Sequence, residues 1–443
     1  MRLLKCVDAI GYTVIAASAC YFAVAMGSGL CELRRQRTAL PVQGDARYGR
    51  PQLGRSDRRP LYVLVPCLNE ASVIGPTVQA LTGPETTVLV VDDGSDDGTG
   101  RIAAEAGQSS DGAVTILRRE LPDARQGKGA ALNHAIRHAR ALVSARGEDP
   151  REVVVCVMDA DGRLSDRALS HVMPLFDDPS TGGVQLGVRI RNRHANFLTW
   201  FQDYLFWSMA AVTQLGRDAT ATVSLGGNGQ FARLSALDSI GERPWSASLT
   251  EDLDLAISLS VRGWRLRGTA HASVDQQAIT DLSRLIRQRT RWYQGHMTAV
   301  GRCGEIWRSR ELPHLSALEL ICYLLVPWVL DLPWSLLFQY CLVWFLLNAR
   351  HALLRYHPLP SLPWVRAGRV LTLLSWYAVT FAPALVTSAV YLRRDRRVGR
   401  LRAVLLGHSF VVMNYLSFLC AWKALVRMVR GQTGWAKTSR EPG

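Results

Sequence analysis

Four short, continuous apolar runs separated by amphipathic stretches occupy residues 60–162, and they constrain the fold more than any other feature. The runs are "LYVLVP" (61–66), "TTVLVV" (86–91), "AVTILRR" (113–119) and the apolar part of "EVVVCVMDADG" (152–162). Between them lie "SVIGPTVQALTG", "GRIAAEAG" and "GKGAALNHAIRHARALV", whose apolar residues recur at helical spacing. A strand that is apolar at every position is buried on both faces. The alternation therefore predicts an α/β unit with a parallel sheet between helical layers. Ligands of such open sheets bind outside the carboxyl ends of the strands.

Acidic groups collect at that edge. The first run leads into Asn69 and Glu70, the second into Asp92 and Asp93, and the fourth into Asp159 and Asp161. Ordinary turn chemistry explains one such cluster, as in "VDDGSDDGT" (91–99), but not three on one rim. An Asp-x-Asp at a strand end suits a hard divalent cation, Mg2+ or Mn2+, bridging to a diphosphate. The expectation is that a cation and a nucleotide make the massed aspartates tolerable. "QGKGAALN" lacks the Ser or Thr that follows lysine in a P-loop, although a lysine opening a helix suits phosphate. His134 and His138 are four apart with no acidic third ligand nearby, which argues against zinc. Nine cysteines without a CxxC pair read as buried hydrophobes in a reducing compartment.

The net charge is +15. Its arginines crowd beside apolar spans, in "CELRRQR" (31–37) and "YLRRDRRVGRLR" (391–402), which points to a membrane partner and not to nucleic acid. Residues 1–33 read as an amino-terminal transmembrane anchor. A signal peptide ending at Ala23-Val24-Ala25 is the competing reading. Arg34, Arg35 and Arg37 outnumber Arg2 and Lys5, so the following domain is expected in the cytoplasm, at the plasma membrane. The remaining boundaries are a basic linker at 34–59, a catalytic domain at 60–305, a membrane region at 306–425 and a basic tail at 426–443. The membrane region has apolar stretches near 315–349, 369–391 and 403–422. They make three spans, or four if the first divides at Asp331-Leu332-Pro333.

Six motifs in this order, "VPCLNEA", "VDDGSDD", "GKGAALN", "DADG", "TEDLDL" and "QRTRW", resemble the membrane-integrated branch of family 2 glycosyltransferases. That branch contains cellulose, chitin, hyaluronan and poly-N-acetylglucosamine synthases. The resemblance covers residues 60–300, and "GWAKTSR" (434–440) is similar to a tail motif of the branch. It implies a GT-A-like, doubly wound, mostly parallel sheet with flanking transmembrane helices. It further implies that Asp93, helped by Asp92, contacts the nucleotide base, with Asn69, Glu70, Lys128 and Asp159 completing the donor side. Asp159 and Asp161 hold the metal, Asp252 is the catalytic base, and Glu251, Gln288, Arg291 and Trp292 serve the acceptor and diphosphate end.

The implied reaction is inverting, metal-dependent transfer from UDP-glucose or UDP-N-acetylglucosamine to a growing β-linked polysaccharide. The alternative is a single transfer to a lipid, a diacylglycerol or polyprenyl carrier. The wording of "SLGGNGQF" (224–231), where polymer synthases carry an acceptor-side loop, matches no particular sugar. A scaffold subunit without activity has no need of Asp93, Asp161, Asp252 and Arg291 together.

Overall fold

The computed structural model describes residues 2–39, 59–83, 85–109, 113–340, 343, 369–432 and 434. Linker residues 40–58 and residues 435–440 of the tail motif lie outside them, as does most of 341–368. The described residues fall into two units, one holding Ala25–Leu324 and the other Met1–Val24 with Leu325–Gly431.

The first unit is built on an eight-stranded sheet. Its strands are β1 (Leu61–Cys67), β2 (Thr86–Asp92), β3 (Ala113–Arg118), β4 (Val154–Val157), β5 (Arg163–Leu164), β6 (Thr181–Ile190), β7 (Gln230–Arg233) and β8 (Arg265–Gln276). Their order is β3-β2-β1-β4-β7-β6-β8-β5. The block β3-β2-β1-β4 is parallel, β7 runs antiparallel to both β4 and β6, and β6 pairs parallel with β8. The result is a mixed sheet of GT-A type, parallel where the apolar runs predicted it.

Alternate residues explain the two-sided burial. Val63, Val65, Val88 and Val90 enter one core beneath helices Ile74–Leu81 and Thr99–Gln108. Tyr62, Leu64, Leu89 and Val91 enter the other, beneath helices Lys128–Ala145 and Glu251–Ser260. Burial of side chains this size contributes roughly 1.5–3 kcal/mol each. Cys67 is level with Asp92, and Asp92 with Arg118, so the first three strands end together and their loops form one rim.

The amino-terminal helix Arg2–Ala39 runs unbroken through Ala23-Val24-Ala25. Its final turns belong to the sheet unit. A side chain at Gly29 would collide with the Val212 carbonyl, its Cβ 2.0 Å from that oxygen. Gln36 donates to the Gly268 carbonyl at 3.1 Å and accepts from the Ala270 amide at 2.8 Å. Ala270 falls where β8 slips out of register with β6, so the Gln36 amide takes up a backbone group that the ladder leaves there.

Three helices among the described residues are long and apolar enough to cross a membrane: Ile10–Gln36, His314–Tyr340 and Arg400–Val429. His314–Tyr340 passes through Asp331-Leu332-Pro333 without a break, by way of a π turn at Pro327–Asp331 where the proline has no amide to donate. A further helix, Arg369–Arg394, contains Pro383.

Candidate active site

The loops after β1 and β2 are laced together before any ligand is considered. Asn69, in the left-handed region at φ 53°, donates its amide to Ser95 Oγ and accepts from the Asp96 amide, both at 3.0 Å. The Glu70 amide donates to Thr99 Oγ1 at 2.8 Å, and the Ala71 amide to Asp97 Oδ2 at 3.0 Å. Asp92 accepts from the Ser95 amide at 2.9 Å and from Arg118 at 2.7 Å. Arg119 pairs with buried Asp93, and Arg125 with Asp96 at 3.0 Å.

This corrects the expectation about the massed aspartates. The chain's own arginines, from the end of β3 and the loop after it, already neutralise Asp92, Asp93 and Asp96. Sequence reasoning missed Arg118, Arg119 and Arg125. The signal was the Arg-Arg pair closing the third apolar run, which becomes informative only once the strand ends are set level. Burial raises the Asp93 carboxyl above its usual range, against the pull of Arg119.

Beyond the rim lies a cavity of about 920 Å3. Glu70, Asp93, Lys128, Asp159, Glu251, Asp252, Gln288, Arg291 and Trp292 line it. Asn69, Asp92 and Asp161 are absent from the lining. Lys128 opens its helix, donates to the Gly227 carbonyl and pairs with Asp159 at 2.6 Å. Burial disfavours the ammonium, but Asp159, Glu251 and Asp252 outweigh it and hold the Lys128 pKa above the ordinary value. Burial pushes Glu251 up to about 7, with repulsion from Asp252 adding to it. It raises Asp252 as well, opposed chiefly by Lys128.

The rest of "GKGAALN" is structural. Gly129 passes so close to the Ser246 carbonyl that a Cβ there would lie 2.4 Å from its oxygen. Asn133 donates to the Trp245 carbonyl at 2.6 Å and accepts from the Trp245 amide at 3.1 Å, clamping the approach to "TED".

The basic helix Leu282–Ala299 presents Arg284, Gln288, Arg291, Trp292 and His296 to the cavity, a spacing of three or four residues that makes one face. Gly295 lets this helix touch "TED", because its Cβ would lie 2.5 Å from Thr250 side-chain atoms. Trp292 meets Phe206 edge-on, with centroids 6.3 Å apart. Arg289 lies 5.4 Å from the Trp292 centroid and 5.7 Å from that of Phe206. Phe206 stands on a π-helical turn, Leu205–Ala210, which no sequence signal marked. Burial lowers the His296 pKa to about 4, leaving a neutral ring against the Tyr323 carbonyl.

A family profile described as "Glycosyltransferase like family 2" matches residues 58–295, more than half of the chain. The chain belongs to glycosyltransferase family 2. A β-monoglucosyldiacylglycerol synthase of Trichormus variabilis is 33% identical over 243 residues, 53% of this chain and 48% of that protein. A poly-β-1,6-N-acetyl-D-glucosamine synthase of Staphylococcus aureus is 25% identical over 252 residues, 56% of this chain and 57% of the other. The chain thus spans about half the length of the curated relatives it matches. The mannosyltransferase PcManGT of Pyrobaculum calidifontis, solved with GDP-Man and Mn2+, aligns over 93% of this chain and 99% of its own. Its TM-score is 0.55 at 20% identity, a likeness of fold.

The family 2 site can be tested for a metal on its own donor atoms. Asp159 stands at the cavity wall, whereas Asp161 is fully buried behind it and accepts from the Gln277 amide at 2.9 Å. Among the described residues no group of three His, Cys, Asp or Glu forms a cage. Of the two aspartates only Asp159 reaches the cavity wall, where a hard cation would take its other ligands from a diphosphate and water.

Proposed function

We propose that this family 2 glycosyltransferase moves a hexose from a nucleoside-diphosphate sugar to a membrane-borne acceptor hydroxyl, with inversion at the anomeric carbon. One observation carries the reading: Asp93, Asp159, Asp252, Arg291 and Trp292 all line a single cavity. Asp93 faces the nucleotide base, and Lys128 the donor phosphates. Mg2+ or Mn2+ held by Asp159 and Asp161 would supply charge neutralisation at the diphosphate. Asp252 takes the proton of the acceptor hydroxyl as its oxygen bonds the anomeric carbon and the bond to the diphosphate breaks. Arg291, with Glu251 and Gln288 near it, meets the leaving diphosphate, and Trp292 gives a sugar ring an apolar face.

The acceptor assigned first is a lipid, because the relatives at 31–33% identity are named for monoglucosyldiacylglycerol synthesis. The second reading is a growing polysaccharide, supported by "QRTRW" and by the poly-N-acetylglucosamine synthase at 25%. UDP-glucose and UDP-N-acetylglucosamine are the donors to test first. The Arg34–Arg35 cluster supports a cytoplasmic catalytic unit. Incubating the full chain in lipid with labelled nucleotide sugars and sizing the products tests all of this. One glycolipid species supports the first reading, a ladder supports the second, and no transfer from any donor defeats both.

A further inference from the structure

The segment Gly226-Gly227-Asn228 lies against Lys128, "DADG" and "TED". Asn228 is 5% exposed. Its Oδ1 accepts from the Asp159 amide at 3.1 Å, its Nδ2 donates to Gln276 at 2.9 Å, and its carbonyl accepts from Gln185 at 2.9 Å. Gln185 also accepts from the Gly226 amide at 2.7 Å, so the segment is anchored to β6, to the end of β8 and to "DADG". Gly227, held between these anchors, offers its carbonyl to Lys128. A Cβ at Gly227 would lie 2.7 Å from Lys128 Nζ and 3.3 Å from Asp252 Oδ2. Gly227 is not among the residues with positive φ, so its backbone accepts a side chain; what lacks room is the space beside the lysine.

We propose that Gly227 is a positioning residue. Its carbonyl and its bare α-carbon hold the Lys128 ammonium between Asp159 and the Glu251–Asp252 pair, and Asn228 keeps that carbonyl in place. The segment that stands where polymer synthases carry an acceptor-side loop thus works on Lys128. The inference rests on the proposed contact of Lys128 with the donor phosphates.

A double-mutant cycle tests it, with turnover measured on the full chain in lipid and melting temperature followed alongside. Gly227→Ala adds one methyl whose severe clash is with the flexible end of Lys128 at 2.7 Å, while Asp252 Oδ2 at 3.3 Å need shift only slightly. It should leave melting unchanged and lower kcat/KM by about 10²-fold, the scale of a misplacement near the chemistry. In the Lys128→Ala background, where the methyl has room, the same change should cost no more than about two-fold. Equal losses in both backgrounds overturn the positioning role while leaving the reading of Lys128 intact. Full activity of Lys128→Ala alone overturns that reading and this inference with it. Should Gly227→Ala fail to fold, Asn228→Ala, which adds no atoms, enters the same cycle with the same expected outcomes.

Discussion

Asp252 and Glu251 share a corner with Lys128 and Arg291, and burial set against those two cations decides their chemistry. Burial raises both carboxyls, and Lys128 offsets only part of the cost. A base must be ionised to act, so the rate should fall as pH drops through the raised pKa of the pair. The acid limb of kcat/KM should therefore lie above the usual carboxylate range, because burial raises both groups. A limb at ordinary carboxylate pH argues against this corner as the base. Asp252→Asn should bind UDP nearly normally by calorimetry while losing about 10²-fold or more in rate. Asp93→Ala should instead weaken UDP binding. Turnover of Asp252→Asn at saturating donor, combined with poor UDP affinity, would reassign Asp252 as a helix-capping binder. Chelation with EDTA should abolish transfer, and Mg2+ or Mn2+ should restore it. Full turnover in excess chelator removes the roles given to Asp159 and Asp161.

At the scale of elements, the site depends on two close approaches. The strand β3 carries Arg118 and leads into Arg119, which lies against Asp93 with both side chains only 7% exposed. Arg119→Ala leaves a buried carboxylate without its cation and should cost about 3–5 kcal/mol of stability. Adding Asp93→Asn should recover part of the loss, and urea melts of the single and double variants measure it. The helix Leu282–Ala299 leans on "TED" through Gly295. In an exposed helix Gly→Ala stabilises by about 0.8–1 kcal/mol. Here Gly295→Ala should lower turnover, because its methyl drives Thr250 away from the face that carries Arg291 and Trp292. Unchanged turnover would mean that the two helices need not touch.

For the whole molecule, the question is which side of a membrane the sheet unit occupies. The helix Ile10–Gln36 is long enough to span, and its last turns bond into the sheet unit through Gln36. Arg34 and Arg35 at its end predict that the sheet unit faces the cytoplasm. A cysteine placed at exposed Arg101, with the exposed Cys20, Cys31 and Cys322 replaced, should react with an impermeant reagent only after the cells are opened. Labelling in intact cells would reverse the orientation.

The local patterns in the chain were enough for the parallel half of the sheet, because a strand buried on both faces must be apolar throughout. They also located the carboxylates at the strand ends, since that edge is where such sheets bind. The strands β5 to β8 were not legible. In β6 and β8 core positions mix with partial exposure, and β7 is only four residues at the end of a glycine-rich stretch, so no periodicity survives. Pairings between distant residues were equally hidden. Whether the rim aspartates meet a cation or the arginines of β3 depends on strand register, which no single segment encodes. The same holds for Gly227. A glycine in a loop reads as flexibility until the fold brings a lysine from residue 128 and an aspartate from residue 252 to either side of it.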